Sequence, residues 1–125
     1  MSIEHYPTSM PFPFADAVEA GGFIFLSGQV SMSAEGEPLT GTISAQAHRI
    51  MKSIEKTLAR AGATLNHVVK VTVWLSNMKH FCEFNSVYRT YFSDGYPARS
   101  VTASRLVFDL DIEIEVQALA PKREL

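Results

Sequence analysis

The sequence predicts one α+β domain spanning residues 1–125, in which two helices cover one face of a β-sheet. Three observations support this fold class. In two stretches, apolar residues recur at helical spacing. In several shorter stretches of strand length, apolar residues either alternate with polar ones or follow each other without interruption. No internal repeat or linker divides the chain. The predicted order of elements is ββαβαββ. A chain of 125 residues is long enough for one hydrophobic core.

The first part of the chain is predicted to form a β-hairpin. Met1–Pro13 carries three of the six prolines and is interpreted as an extended lead-in. Phe14–Glu19 is a short strand, Ala20–Gly22 is a turn, and Phe23–Val30 is the second strand.

The next segment is predicted to be an amphipathic helix. Thr42 or Ser44 can cap its start, and Gly62 stands where a left-handed residue commonly ends a helix. One face of this helix carries an apolar stripe at helical spacing, made by Ile43, Ala47, Ile50, Met51, Ile54 and Leu58.

The second half of the chain is predicted to add three strands and a second helix. Val68–Leu75 is a strand that is apolar on both faces apart from Lys70 and Thr72. Ala98–Arg105 is the next strand, and Ile112–Leu119 is a last strand in which apolar residues alternate with polar ones. Between the first two strands lies the second helix, with a stripe made by Phe81, Phe84, Tyr88 and Tyr91.

The central strand Val68–Leu75 predicts an oligomer. Two helices cover one face of the sheet, and nothing else in the sequence covers the other face. A strand that is apolar on both sides needs cover on both sides. We therefore expect identical subunits to supply it.

Composition excludes several classes of function. Eleven basic and thirteen acidic side chains give a net charge of −2, which argues against a nucleic-acid-binding surface. No apolar run approaches the ~20 residues of a membrane span, and the N-terminus lacks the pattern of a secretory signal. The single cysteine, Cys82, cannot form an internal disulfide. These features predict a cytoplasmic protein.

Arg99 and the acidic residues of the last strand are the leading candidates for chemistry. The guanidinium of Arg99 can bind a planar carboxylate through two parallel hydrogen bonds. A half-buried carboxylate at Glu113 can orient or activate water. If the two side chains meet, they form a site for a small organic acid. The alternatives are an ion-paired or solvated Arg99, and a solvent-exposed face that carries Glu113 and Glu115.

Three further residues are candidates for binding. Gly28, after Ser27, lets a ligand or another backbone approach closely, although a β-bulge explains a glycine in a strand equally well. Asn85 places an amide beside the apolar stripe of the second helix, where it binds either a ligand or a loop backbone. The four histidines and Cys82 lack metal-ligand spacing, so no metal is expected, and the glycines match no phosphate-binding pattern.

These residues lie in motifs that resemble one known family. The resemblance extends from about Pro13 to Ala120. Its most specific part is the pair of segments Pro97–Ser100 and Ile112–Glu115, at nearly this separation. Further matching segments are Phe25–Gln29, Gln46-Ala47, Ala61-Gly62, Val69–Val73 and Phe84-Asn85 with Tyr88. At these positions the chain resembles the RidA/YjgF reactive-intermediate deaminases.

The resemblance implies a chorismate-mutase-like fold and a homotrimer with active sites between subunits. It implies cofactor-independent hydrolysis of reactive imines, formed from enamines such as 2-aminoacrylate, to 2-keto acids and ammonia. By position, Arg99 corresponds to the arginine that binds the substrate carboxylate, and Glu113 to the glutamate that handles the attacking water. The resemblance assigns substrate-side positions to Ser27, Gly28, Asn85 and Val101.

Phe14 departs from the family pattern, because many deaminating members have tyrosine at this position. Phenylalanine keeps the ring and lacks the hydroxyl donor. This departure keeps a second hypothesis open, a non-catalytic module that binds 2-keto acids or similar carboxylates on the same scaffold. A third hypothesis, a protein that acts on nucleic acid, is disfavoured by the net charge of −2.

Overall fold

A mixed sheet forms one layer of the protein, which is described here for residues 2–121 of a computed structural model. Within this range the strand order is β1-β2-β3-β7-β5-β6, and the short strand β4 pairs with β7. Only β5 and β6 run parallel to each other; the other neighbouring pairs are antiparallel. The strands are β1 Glu4–Pro7, β2 Ala15–Ala20, β3 Phe23–Leu26, β4 Gln29–Val30, β5 Val68–Leu75, β6 Ala98–Ala103 and β7 Ile112–Leu119.

Two helices, α1 Ile43–Arg60 and α2 Phe81–Tyr88, form the second layer on one face of this sheet. The Thr42 side chain accepts a hydrogen bond from the Ala45 amide and caps the start of α1. Gly62 has φ +77° just beyond the end of α1, where a left-handed residue stops the helix. Every residue of the predicted α1 stripe is buried against the sheet. The predicted α+β class, with both helices on one face, is confirmed.

Two features of the N-terminal half differ from the sequence prediction. The predicted lead-in contains β1, which pairs with β2 at the edge of the sheet. Most of β1 is exposed, so it has none of the apolar alternation that marks a strand. The predicted strand Phe23–Val30 is divided into β3 and β4. Phe25 pairs with Gln117 of β7 and Gln29 pairs with Ile114, so this strand has one residue more than β7 between the two pairs. The extra residue makes a β-bulge.

The face of the sheet opposite the helices, which we call the open face, is uncovered within residues 2–121. It carries Phe23, Phe25 and Leu119, whose side chains remain between 41% and 46% exposed. Trp74, Glu113 and Glu115 also lie on this face, since they alternate with the buried residues of β5 and β7. An exposed apolar face of this kind is typical of a surface that contacts another molecule.

Candidate active site

Arg99 lies over the second helix, where aromatic rings and one amide surround its guanidinium group. Its Nη1 donates a hydrogen bond to Oδ1 of Asn85 at 2.9 Å. The guanidinium carbon lies 4.8 Å from the centroid of the Tyr88 ring. The rings of Phe81 and Phe84 follow at 5.8 and 6.0 Å. Cation–π contacts therefore stabilise the positive charge of Arg99.

The guanidinium of Arg99 has no acidic partner among residues 2–121. Asn85 and Tyr88 reach it together because residues three positions apart share a helix face. The pocket that we call the arginine pocket has a volume of about 290 Å³ and is lined by Asn85, Tyr88, Arg89, Tyr96, Pro97 and Arg99. Donors of the guanidinium that are not bonded to Asn85 can bind a carboxylate in this pocket.

Tyr88 is a part of the arginine pocket that the sequence analysis missed. Its hydroxyl is buried and has no hydrogen-bond partner within the part of the chain that the structure describes. Burial raises the pKa of Tyr88 to about 12, against the opposing effect of the positive charge of Arg99. The phenol is therefore neutral beside the guanidinium. The spacing from Asn85 could have revealed this role, but Tyr88 also fits the apolar stripe of the helix.

Glu113 lies in a second pocket, which we call the glutamate pocket, with a volume of about 500 Å³. No side chain or amide of residues 2–121 donates a hydrogen bond to its carboxylate, and no cation pairs with it. Burial raises the pKa of Glu113, and the negative charge of Glu115 raises it further. A carboxylate with a raised pKa exchanges protons with water more readily near neutral pH.

Gly28 is a glycine because the Glu113 side chain occupies the space beside it. A Cβ atom built on Gly28 would clash with the Glu113 carboxyl group. Its φ does not lie in the left-handed region, so the glycine matters here for the space that it leaves to the flexible end of the Glu113 side chain. Of the two interpretations of Gly28 from the sequence, the β-bulge is confirmed. The group that lies close to Gly28 is the Glu113 side chain, so the approach of a ligand or another backbone stays a prediction.

Aromatic rings form the wall of the glutamate pocket. Phe14 stacks on Phe12 with ring centroids 6.3 Å apart, and Phe108 lies 6.4 Å from Phe12. Phe108 and Asp109 have φ of 55° and 51°, a left-handed conformation that is rare for residues other than glycine. This strained turn places the Phe108 ring at the pocket.

Ser27 and Val101 line neither pocket. The Ser27 hydroxyl donates a hydrogen bond to the carbonyl oxygen of Ala15 at 2.6 Å, and its amide donates to Asp16. These bonds join the bulge to β2, so the Ser27 side chain has a structural partner. Val101 is partly buried against the core, next to Arg99 on the same face of β6. The free Cys82 is exposed on α2.

The two pockets lie on opposite sides of the sheet. Arg99 pairs with Val71, a buried core residue that faces the helices. Glu113 pairs with Trp74, whose side chain points to the open face. Paired residues on neighbouring strands share a face. Within one chain, therefore, Arg99 and Glu113 do not meet. They do not form an organic-acid site within a single chain, which was the simplest arrangement suggested by the sequence.

Among residues 2–121 no group of three or more histidine, cysteine, aspartate or glutamate side chains is arranged to hold a metal ion. Neither helix in this range is long and apolar enough to cross a membrane.

The fold and the two pockets define a two-layer α+β protein with one pocket that contains an arginine and one that contains a glutamate. A family model described as Endoribonuclease L-PSP matches residues 7–120. A RutC family protein of Pyrococcus abyssi is 44% identical over 108 residues, which covers 85% of each chain. The chain belongs to the RidA/YjgF family.

Solved structures agree with this assignment. The crystal structure of yeast Mmf1 superposes with a TM-score of 0.90 at 32% identity and covers 96% of this chain and 100% of that one. The curated yeast protein is described as mitochondrial. RidA from an Antarctic Psychrobacter superposes with a TM-score of 0.85 at 29% identity, over 93% of this chain and 98% of that one.

Proposed function

We propose that the protein hydrolyses reactive 2-imino acids, of the 2-iminopropanoate type that forms from 2-aminoacrylate, to 2-keto acids and ammonia. One observation supports this activity above others: Arg99 and Glu113 are both half-buried ionisable side chains, and neither has an ionic partner among residues 2–121. A substrate that has a carboxylate and an electrophilic carbon provides a partner for both.

Arg99 binds the substrate carboxylate with its fork, and Asn85 holds the guanidinium in place. Glu113 accepts a proton from a water molecule as the water oxygen bonds to the carbon of the protonated imine. The resulting neutral carbinolamine has one hydroxyl and one amino group on that carbon. Glu113 returns the proton to nitrogen, the carbon–nitrogen bond breaks to release ammonia, and the hydroxyl loses its proton to Glu113 as the carbon–oxygen double bond forms. This hydrolysis transfers only water and protons, so we propose that no cofactor takes part.

A second copy of the chain completes the site in this proposal. Arg99 and Glu113 lie on opposite faces of one sheet, so one substrate molecule reaches both only across a contact between copies. The exposed Phe23, Phe25 and Leu119 give the open face an apolar surface suited to such a contact. We propose a homotrimer with its sites at the interfaces between subunits.

The remaining candidates have supporting roles in this proposal. Phe14 and Gly28 shape the glutamate pocket. Ser27 holds the bulge that carries Gly28, since its hydroxyl bonds to the Ala15 carbonyl. Val101 borders Arg99 on β6, where its backbone can contact a ligand.

We propose that the reaction takes place in the cytoplasm, because the single cysteine is free and exposed. The mitochondrial description of yeast Mmf1 indicates a relative that works in another compartment. Fractionation of cells that express the untagged protein distinguishes the two locations.

A second candidate function is a binding module for 2-keto acids and similar carboxylates. Phe14 favours it, because the aromatic ring beside Glu113 has no hydroxyl to assist proton transfer. Under this alternative Arg99 still binds the carboxylate, and Glu113 performs no chemistry.

A coupled assay separates the two candidates. An amino-acid oxidase generates 2-iminopropanoate from alanine, and the release of pyruvate is followed with and without the protein. We expect acceleration by the wild-type protein and none by Arg99→Ala, with the same oligomer in both. Arg105→Ala is the matched control, because the Arg105 side chain is 95% exposed outside both pockets. Full activity of Arg99→Ala contradicts the proposal, and saturable pyruvate binding without acceleration favours the binding module.

A further inference from the structure

The glutamate pocket is large and apolar for a substrate with a methyl side chain. We propose that it selects 2-imino acids with bulky apolar side chains, such as those derived from leucine, methionine or phenylalanine. This inference rests on the proposed function and specifies the substrate class of the same site.

The size of the pocket is the first argument. Its volume is about 500 Å³, whereas a water molecule takes about 30 Å³ of the liquid. A three-carbon imino acid equals a few water molecules and leaves most of the space that a single chain provides unfilled. Sites for small molecules are usually matched to their ligands, with most of the ligand surface buried.

The chemistry of the wall is the second argument. Only Gln29 and Glu113 contribute polar side chains, and the Gln29 amide oxygen already accepts a hydrogen bond from Ser53. Gln29 is only 7% exposed, so Glu113 is the polar side chain that this pocket presents most openly to a ligand. The other lining residues are Gly28 and the apolar Met10, Phe12, Phe14, Val30, Met32, Val107 and Phe108.

The geometry of the substrate gives the third argument. The imine carbon carries a carboxylate, a nitrogen and a side chain. In the proposed reaction that carbon lies near Glu113, and its carboxylate points out of the pocket toward Arg99 of another copy. The side chain then lies along the aromatic wall, where a longer apolar group buries more surface.

The rings of Phe14 and Phe108 are already positioned to contact such a side chain. Phe14 and Phe108 remain 40% and 55% exposed, although each contacts Phe12. The left-handed backbone of Phe108 keeps its ring at the pocket. Preformed apolar surface that is still exposed gains from burial without a large loss of conformational freedom.

The experiment compares kcat/KM for imino acids generated in situ from alanine, leucine, methionine and phenylalanine. We expect the values for the bulky substrates to exceed that for 2-iminopropanoate by about 10-fold or more, since one methylene in an apolar pocket changes the rate by about 10-fold. Phe14→Ala and Phe108→Ala should each reduce this ratio at least several-fold. Met78→Ala is the matched control, because its side chain is as exposed as that of Phe14 and lies outside the pocket.

Binding of the product 2-keto acids, measured by calorimetry, provides a second readout. We expect 4-methyl-2-oxopentanoate and phenylpyruvate to bind at least about 10-fold more tightly than pyruvate. Equal or lower kcat/KM for the bulky imines overturns the inference and leaves the deaminase proposal intact. If no imine is hydrolysed faster, the deaminase proposal fails, and the order of the dissociation constants alone supports or overturns the inference. A ratio that neither Phe14→Ala nor Phe108→Ala changes also overturns it.

Discussion

The arginine pocket and the glutamate pocket differ in how each stabilises its charge. Around Arg99, three aromatic rings and the Asn85 amide hold the guanidinium in one place. Around Glu113, apolar side chains and a neighbouring carboxylate oppose ionisation and raise its pKa. The first environment fixes the position of a guanidinium group, and the second favours the neutral form of a carboxyl group.

This difference indicates that the two faces of the sheet have different roles, one in binding and one in proton transfer. A group that stays charged and fixed is suited to binding an anion. A group whose pKa is raised is suited to accepting and returning a proton. Arg99 should therefore determine substrate affinity, and Glu113 should determine the rate of the chemical step.

Replacement of Glu113 by glutamine should produce the largest effect. Glu113→Gln keeps the size of the side chain and removes the base, so we expect kcat to fall by about 10²–10⁴-fold, the usual contribution of a general base. Binding of a 2-keto acid should change little. Glu115→Gln is the matched control on the same face, and its kcat at slightly alkaline pH should stay near wild type. If both variants lose kcat equally, the two carboxylates do not differ in role.

A methyl group at Gly28 tests the placement of Glu113. In Gly28→Ala the new Cβ displaces the Glu113 carboxyl group. A misplacement of about 1 Å can reduce the rate by about 100-fold, so we expect a loss of that order in kcat. Far-UV circular dichroism and the native mass serve as controls for folding. Wild-type kcat in a correctly folded Gly28→Ala protein means that the close contact with Glu113 has no part in catalysis.

The pH dependence should separate the two causes of the raised pKa at Glu113. The ionised form is the base, so kcat/KM should rise with pH through the pKa of Glu113 and level off above it. Glu115→Gln removes the neighbouring negative charge. The pKa of Glu113 should then fall, and the acid limb of the profile should move to lower pH. A limb that stays in place or moves upward contradicts the assignment of this limb to Glu113.

A hydroxyl group on the Phe14 ring should produce the smallest effect. Phe14→Tyr adds a donor to the wall of the glutamate pocket, and one hydrogen bond contributes about 0.5–1.5 kcal/mol. We expect kcat/KM for 2-iminopropanoate to rise about two- to tenfold in the coupled assay. A decrease would show that the pocket excludes polar groups from its wall.

The sequence predicted most of the helix-covered layer, because burial there leaves periodic patterns. The stripe of α1 and the alternation of Ile112–Leu119 both follow from one buried face. Strand β1 was not predicted, because it is an edge strand with mostly exposed side chains. Its pairing with β2 depends on backbone hydrogen bonds, which leave no pattern in the types of side chain.

The sequence predicted which residues line the two pockets better than how those residues are arranged. Motif spacing identified Arg99, Asn85, Gly28 and Glu113, and each lines one of the two pockets. Spacing along one chain could not show that Arg99 and Glu113 face opposite sides of the sheet, because that depends on register across three strands. The strained turn at Phe108 was also missed, since nothing in its sequence marks a left-handed backbone.

The central claim is that one site uses Arg99 of one copy and Glu113 of another. Arg99→Ala and Glu113→Gln proteins, each inactive alone, can be unfolded, mixed in equal amounts and refolded together. In a closed ring assembled at random, one site in four combines an intact arginine with an intact glutamate, so we expect about one quarter of wild-type activity. If the refolded mixture stays as inactive as the two variants alone, the site does not lie between copies, and the account is contradicted.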